Sequence, residues 1–104
     1  MKKTIYIRLT NVITKEEKMF FSHCLELDIA SQGETVEEAN NNLKDAILQY
    51  LETLKELGTR EEIFKKKNIK IYSYKPKPML EKNKIPRSFN NFPFFTQQAI
   101  SLNL

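Results

Sequence analysis

The chain has 104 residues, of which 40% are hydrophobic and 29% charged, with a net charge of +4. That composition belongs to a globular domain with one modest core, and it excludes a disordered chain. No apolar run approaches the ~20 residues needed to span a bilayer, and one cysteine excludes an internal disulfide. The charge is unevenly spread. Residues 1–58 carry 7 Lys/Arg against 10 Asp/Glu, and residues 59–104 carry 10 against 3. An acidic front and a basic back mark either a partner-binding segment or a solvated basic tail.

The start, MKKTIYIRLTNV, has two lysines, but Arg8, Thr10 and Asn11 interrupt any apolar core of a signal peptide. The expected location is the cytoplasm. Residues 4–12 alternate, with Ile5, Ile7 and Leu9 on one side and Tyr6, Arg8 and Thr10 on the other, which predicts a half-buried strand. Residues 13–18, ITKEEK, read as a charged turn. Residues 19–29 read as a second, central strand. Met19, Phe21, His23, Leu25 and Leu27 share one face, opposite Phe20, Ser22, Cys24 and Glu26. A short third strand, 29–33, ends at Gly33, whose freedom to take a positive φ suits a reversal from sheet to helix.

Thr35 and Glu38 have the capping-box spacing, and Glu37 and Glu38 favour the positive end of a helix dipole. Val36, Ala39, Leu43, Ala46, Ile47, Tyr50, Leu54 and Leu57 form one apolar stripe of a long helix, with Gly58 at the C′ position. Thr59 and Glu62 repeat the spacing and predict a short second helix to about Lys67. Residues 69–74, IKIYSY, alternate as a fourth strand. All four prolines follow it: Pro76, Pro78, Pro86 and Pro93. Residues 75–95 therefore read as a linker or a loosely wrapped segment. In the last stretch Ile100, Leu102 and Leu104 alternate with polar residues, which calls for a sheet edge or a partner. The expected fold class is α+β. A small, mainly antiparallel sheet is covered by one long helix in the order β-β-β-α-α-β. The expected division is a domain at 1–75 and a basic, aromatic, proline-bearing extension at 76–104 with a terminal strand.

The residues that could carry chemistry are few. His23 and Cys24 are adjacent in a strand and so face opposite ways, which prevents their acting as a metal pair or a nucleophile and its base. Glu26 and Asp28, two apart, share a face of an extended strand. A divalent metal there would need further oxygen ligands, with Glu34 and Asp45 the nearest acidic residues in sequence. A solvated or partner-facing acidic edge is the plainer reading. Lys65, Lys66, Lys67, Lys70, Lys75 and Lys77 form a basic tract interleaved with Tyr72 and Tyr74, the composition that binds phosphates and stacks bases. It continues through Lys82, Lys84 and Arg87, with Phe89, Phe92, Phe94 and Phe95. Three lysines in a row also simply complete the C-terminal end of a helix. There is no dinucleotide fingerprint, P-loop or nucleophile elbow.

Cys24 to Glu52, CLELDIASQGETVEEANNNLKDAILQYLE, resembles the HicB family of antitoxins. The family pattern is a strand ending in Cys-Pro-Glu-Leu-Pro-Gly, a short strand, Gln-Gly-Asp-Thr, two residues, Glu-Ala and a long helix. Cys24, Glu26, Leu27, Ser31, Gln32, Gly33, Thr35, Glu38, Ala39, Asn42 and Ala46 match it, with Glu34 in the Asp place. Leu25, Asp28 and Ile29 depart from it, standing where proline, proline and glycine are usual. The likeness covers about the first 75 residues. It implies a partial RNase H-like fold without the nuclease carboxylates, no enzymatic activity and no cofactor or metal. It also implies a partner: a HicA-like toxin, a small basic mRNA interferase whose active face HicB covers.

Glu26, Asp28, Gln32 and Glu34 are the residues expected to meet that partner, and a homodimer or higher oligomer is expected. Many family members carry a ribbon-helix-helix or helix-turn-helix domain after the sheet. Here the residues after the fourth strand show no pair of helix patterns, so the resemblance leaves operator DNA binding open. The alternatives are a nucleic-acid-binding module using the basic tract, or an orphan HicB-like module with no toxin.

Overall fold

The computed structural model describes residues 4–77 and 94–103. The elements are β1 (Thr4–Glu16), β2 (Met19–Cys24), β3 (Ile29–Gly33), α1 (Val36–Leu57), α2 (Arg60–Lys66), β4 (Ile71–Tyr72) and β5 (Phe94–Asn103). The class is α+β: a five-stranded antiparallel sheet with the long α1 packed on one face. Among the described residues no helix is long and apolar enough to cross a membrane. The linker prolines Pro78, Pro86 and Pro93, the basic residues Lys82, Lys84 and Arg87, and Leu104 lie outside the described residues.

β1 organises the sheet. It runs through Ile13 and Thr14 to Glu16, past the point where the charged turn was expected. Val12 and Ile13 are buried because Asn11, Val12 and Ile13 pair with β2 on one edge and with β5 on the other. Two strand neighbours outweigh the polar residues that follow. The reversal shrinks to Glu17 and Lys18, with Glu17 in the left-handed region at φ 53°. Tyr6 and Ile7 also have two partners each, Tyr72 and Ile71 in β4 and Ser101 and Ile100 in β5. A strand has two edges, so β2 and β4 share one edge of β1, end to end, and β5 takes the other from Thr4 to Ile13.

β2 is shorter than the alternation suggests. It ends at Cys24, and the chain turns through residues 25–28. The Asp28 amide donates to the Cys24 carbonyl at 2.9 Å, with Asp28 at φ 55°. The expected grouping of Leu25 and Leu27 with His23 on one strand face therefore fails. Leu27 enters the core from the turn, beside Cys24. The turn lies against β1, where the Leu25 amide donates to the Thr10 carbonyl at 3.0 Å. β4 is left with only Tyr6 and Ile7, so it is two residues long rather than the expected 69–74. Ile69 is spent elsewhere. Its amide closes α2 on the Phe64 carbonyl at 2.8 Å, and its side chain is in the core.

α1 follows from its ends and its stripe. Thr35 Oγ1 accepts from the Glu38 amide at 3.0 Å. Gly58 sits at φ 70°, its amide bonding the carbonyls of Leu54 and Lys55. These are the N-cap and left-handed C-cap that the spacing predicts. Ala39, Leu43, Ile47, Leu51 and Leu54 are buried. Leu51 was absent from the expected stripe, whereas Leu57 is 68% exposed. The second capping box does not form, since Thr59 makes no side-chain cap bond. Ile5, Ile7, Leu9, Cys24, Leu27, Leu43, Ile47, Leu51, Leu54, Phe64, Ile69, Ile100 and Leu102 make one core.

The corner works differently from the expectation. Gly33 does not have a positive φ; among the glycines only Gly58 does. A methyl group at Gly33 would lie 2.5 Å from the Ala39 nitrogen and 2.9 Å from the Glu38 carbonyl carbon. Glycine is there because sheet and helix backbones nearly touch. Ser22 Oγ, buried in β2, donates to the Ala39 carbonyl at 2.8 Å and holds the same junction.

Candidate functional site

The 25–28 turn separates the two carboxylates that the strand reading put together. Glu26 turns inward, and its Oε1 accepts from the Thr10 amide at 2.7 Å, beside the open part of the β1 edge. Asp28 turns outward, 80% exposed, and its Oδ1 meets His23 Nε2 at 2.7 Å. The hydrogen bond from His23, with the histidine's charge adding to it, holds the Asp28 carboxyl below its ordinary range. Each carboxylate is engaged separately. Among the described residues no three His, Cys, Asp or Glu side chains are grouped to hold a metal.

Cys24 and His23 face opposite ways, as strand neighbours must. Cys24 is fully buried among the core residues. Burial pushes its thiol up to about 12, and the nearby Glu26 charge adds a smaller push in the same direction, against weakening contributions from backbone amides. A thiol so placed is a small apolar core group rather than a nucleophile.

Gln32 and Glu34 are exposed at the end of β3 and in the corner after it. β3 is an edge strand, paired with β2 only, among the described residues. The Gln32 carbonyl accepts from Asn42 Nδ2 at 2.8 Å, so α1 steadies this edge. Asp28, Gln32 and Glu34 therefore follow one another along β3 and its two ends, in the order Asp28, strand, corner. Glu26 stands apart from them, committed to Thr10.

The basic tract also divides. Lys65 and Lys66 are exposed in the last turn of α2, where Lys66 Nζ is 3.6 Å from Glu62 Oε1. Lys67 reaches back to the Leu27 carbonyl, 3.4 Å away. Lys70, Lys75 and Lys77 belong to the segment around β4. Lys70 Nζ lies 5.1 Å from the centre of the Tyr72 ring, and Arg8 Cζ lies 5.8 Å from the same ring. Arg8 also donates to the Lys77 carbonyl at 3.1 Å. Tyr74, 63% exposed, meets Tyr72 edge-on at 5.7 Å between ring centres. Two cations thus contact one tyrosine, with a second, exposed tyrosine beside it.

Sequence reasoning identified the lysines and tyrosines of this cluster but missed Arg8. Its outward position in β1 was legible. Its neighbours were not, because the β1–β4 pairing brings together residues more than sixty positions apart. No family model, no curated protein and no solved structure matches the chain.

Proposed function

We propose that the chain is a HicB-like antitoxin module that works by binding protein, not by catalysis. Its partner is a small, basic, RNA-cleaving protein of the HicA kind, whose active face it covers in the cytoplasm. The observation that carries this reading is the β3 edge. An exposed strand edge is flanked by Asp28 and Glu34, while α1 covers one face of the sheet and fixes the corner. Acidic groups around a strand edge that pairs with β2 alone among the described residues suit a basic partner, chiefly through charge. The HicB-like pattern from Cys24 to Glu52 supports the same reading, and with it a partial RNase H-like fold.

The test is co-expression with the product of the adjacent gene. A small basic protein that co-purifies in fixed ratio, and whose RNA cleavage is blocked, is the expected outcome. Reversing charge at Asp28 and Glu34 to lysine should slow association and weaken its dependence on salt. An on-rate indifferent to both changes refutes docking at this edge.

A second reading has its own observation, the cluster of Arg8, Lys70, Tyr72 and Tyr74. Cations beside an edge-on pair of tyrosines, one of them exposed, suit single-stranded nucleic acid. Anisotropy with a labelled single-stranded RNA distinguishes the two. Binding that falls steeply with salt and is lost in Tyr74→Ala supports this second reading, and no binding in low salt removes it.

A further inference from the structure

β5 leaves an edge of ten residues whose bonding direction can be worked out. Thr10 directs both backbone groups toward the β2–β4 edge, its amide to Glu26 Oε1 and its carbonyl to the Leu25 amide. Successive residues of a strand bond to opposite edges, so Ile5, Ile7, Leu9, Asn11 and Ile13 bond toward β5. Their partners are Leu102, Ile100, Gln98, Thr96 and Phe94. The amides and carbonyls of residues 95, 97, 99, 101 and 103 therefore point away from β1. Among the described residues, β5 pairs with β1 alone.

Strand edges that stay single usually carry a charge, a proline or a bulge to discourage pairing. FFTQQAISLN has no charged residue and no proline, and its register with β1 is unbroken from Phe94 to Asn103. The β3 edge differs, being five residues long with the Gln32 carbonyl already bonded by Asn42. Beside the β5 edge is an open groove between strand and helix, lined by Leu48, Leu51, Glu52, Lys55, Arg60 and Leu102. Leu48 is 45% exposed there, and Glu52 and Lys55 are exposed on either side of the Leu54 turn. The groove thus offers one exposed apolar residue, Leu48, with charges of both signs beside it, a surface that can complement itself.

We propose that β5 is a self-association edge that pairs antiparallel with β5 of a second copy of this chain. The outward-bonding residues are symmetric about Ala99, so a two-fold axis there sets 99 against 99, 97 against 101 and 95 against 103, with about ten backbone hydrogen bonds. Because the axis runs through the sheet, both α1 helices lie on the same face. Ala99 of one copy then lies directly opposite Ala99 of the other. The pairing closes on itself, as an isologous contact does. It leaves the β3 edges free at the two ends of the joined sheet, so it does not depend on what β3 binds.

The test uses the full chain, followed by sedimentation from low micromolar to hundreds of micromolar. The expected species has the mass of two chains. Ser101→Pro removes an outward amide, which an edge strand tolerates, and takes two backbone bonds from each dimer. It should weaken self-association roughly tenfold or more with an unchanged far-ultraviolet circular dichroism spectrum. A second pair of variants sits on the two-fold axis itself. Ala99→Lys and Ala99→Glu each set like charges opposite one another across the joint, so each should dissociate alone, and the two should form a mixed dimer when combined. A wild-type chain that stays single over the whole range overturns the proposal. So does a folded Ser101→Pro chain that still dimerises, or charge variants that fail to pair with each other.

Discussion

Replacing Gly33 by alanine puts a methyl carbon 2.5 Å from the Ala39 nitrogen and 2.9 Å from both the carbonyl carbon and Cβ of Glu38. Two of these three are backbone atoms in the first turns of α1, so no side chain can simply rotate away. Ordinary carbon contacts sit at about 3.5–4.0 Å; the start of the helix must retreat by roughly 1 Å to reach them. Overpacking of this kind costs about 1–3 kcal/mol. The retreat also stretches the buried bond from Ser22 Oγ to the Ala39 carbonyl, 2.8 Å long, and a bond of that kind contributes about 1 kcal/mol. The expected loss is about 2–4 kcal/mol, a large share of the 5–15 kcal/mol typical of a folded domain.

Urea unfolding followed by circular dichroism measures the loss. Gly58→Ala is the companion. Nothing lies within 4 Å of its added methyl, but its φ of 70° strains any side chain, at a cost of about 1–2 kcal/mol. If Gly33→Ala costs no more than Gly58→Ala, the sheet and helix are not in backbone contact at the corner, and the account of Gly33 is wrong.

Leu43, fully buried in mid-α1, should lose about 2–5 kcal/mol on truncation to alanine. Leu57→Ala, in the same sequence stripe but 68% exposed, should change stability by less than about 0.5 kcal/mol; equal effects in urea unfolding would overturn the assigned buried face. Cys24, buried and with its thiol pushed up to about 12, should resist alkylation in the native chain and react fully in urea, and rapid native labelling would show that the core opens there. Asp28, held below its ordinary value by His23, stabilises the fold above the unfolded carboxyl range and loses that contribution as pH falls through the lowered value. Asp28→Asn should therefore narrow the fall in melting temperature across the acid range, a small effect because the group is exposed; an identical acid profile would discount the pair.

Much of α1 was legible from order along the chain. Thr35, Glu38 and Gly58 mark its ends, and the three-and-four spacing marks Ala39, Leu43, Ile47 and Leu54, because cap bonds and helical faces depend on residues a few positions apart. The alternation of Ile5, Ile7 and Leu9, and of Ile100 and Leu102, likewise foretold which side chains enter the core. The limits of the strands did not follow from pattern. LELDI continues the alternation of β2 on paper, yet the chain turns at Leu25. ITKEEK looks like a turn, yet β1 runs through it to Glu16. Only the pairing of distant segments decides where a ladder stops, and that pairing set the length of β4, the separation of Glu26 from Asp28, and the placing of Arg8 over Tyr72. Gly33 shows the same division: its position at the corner was evident in sequence, but its reason lies in the approach of Ala39, since a contact between two backbones leaves no trace in the periodicity of either.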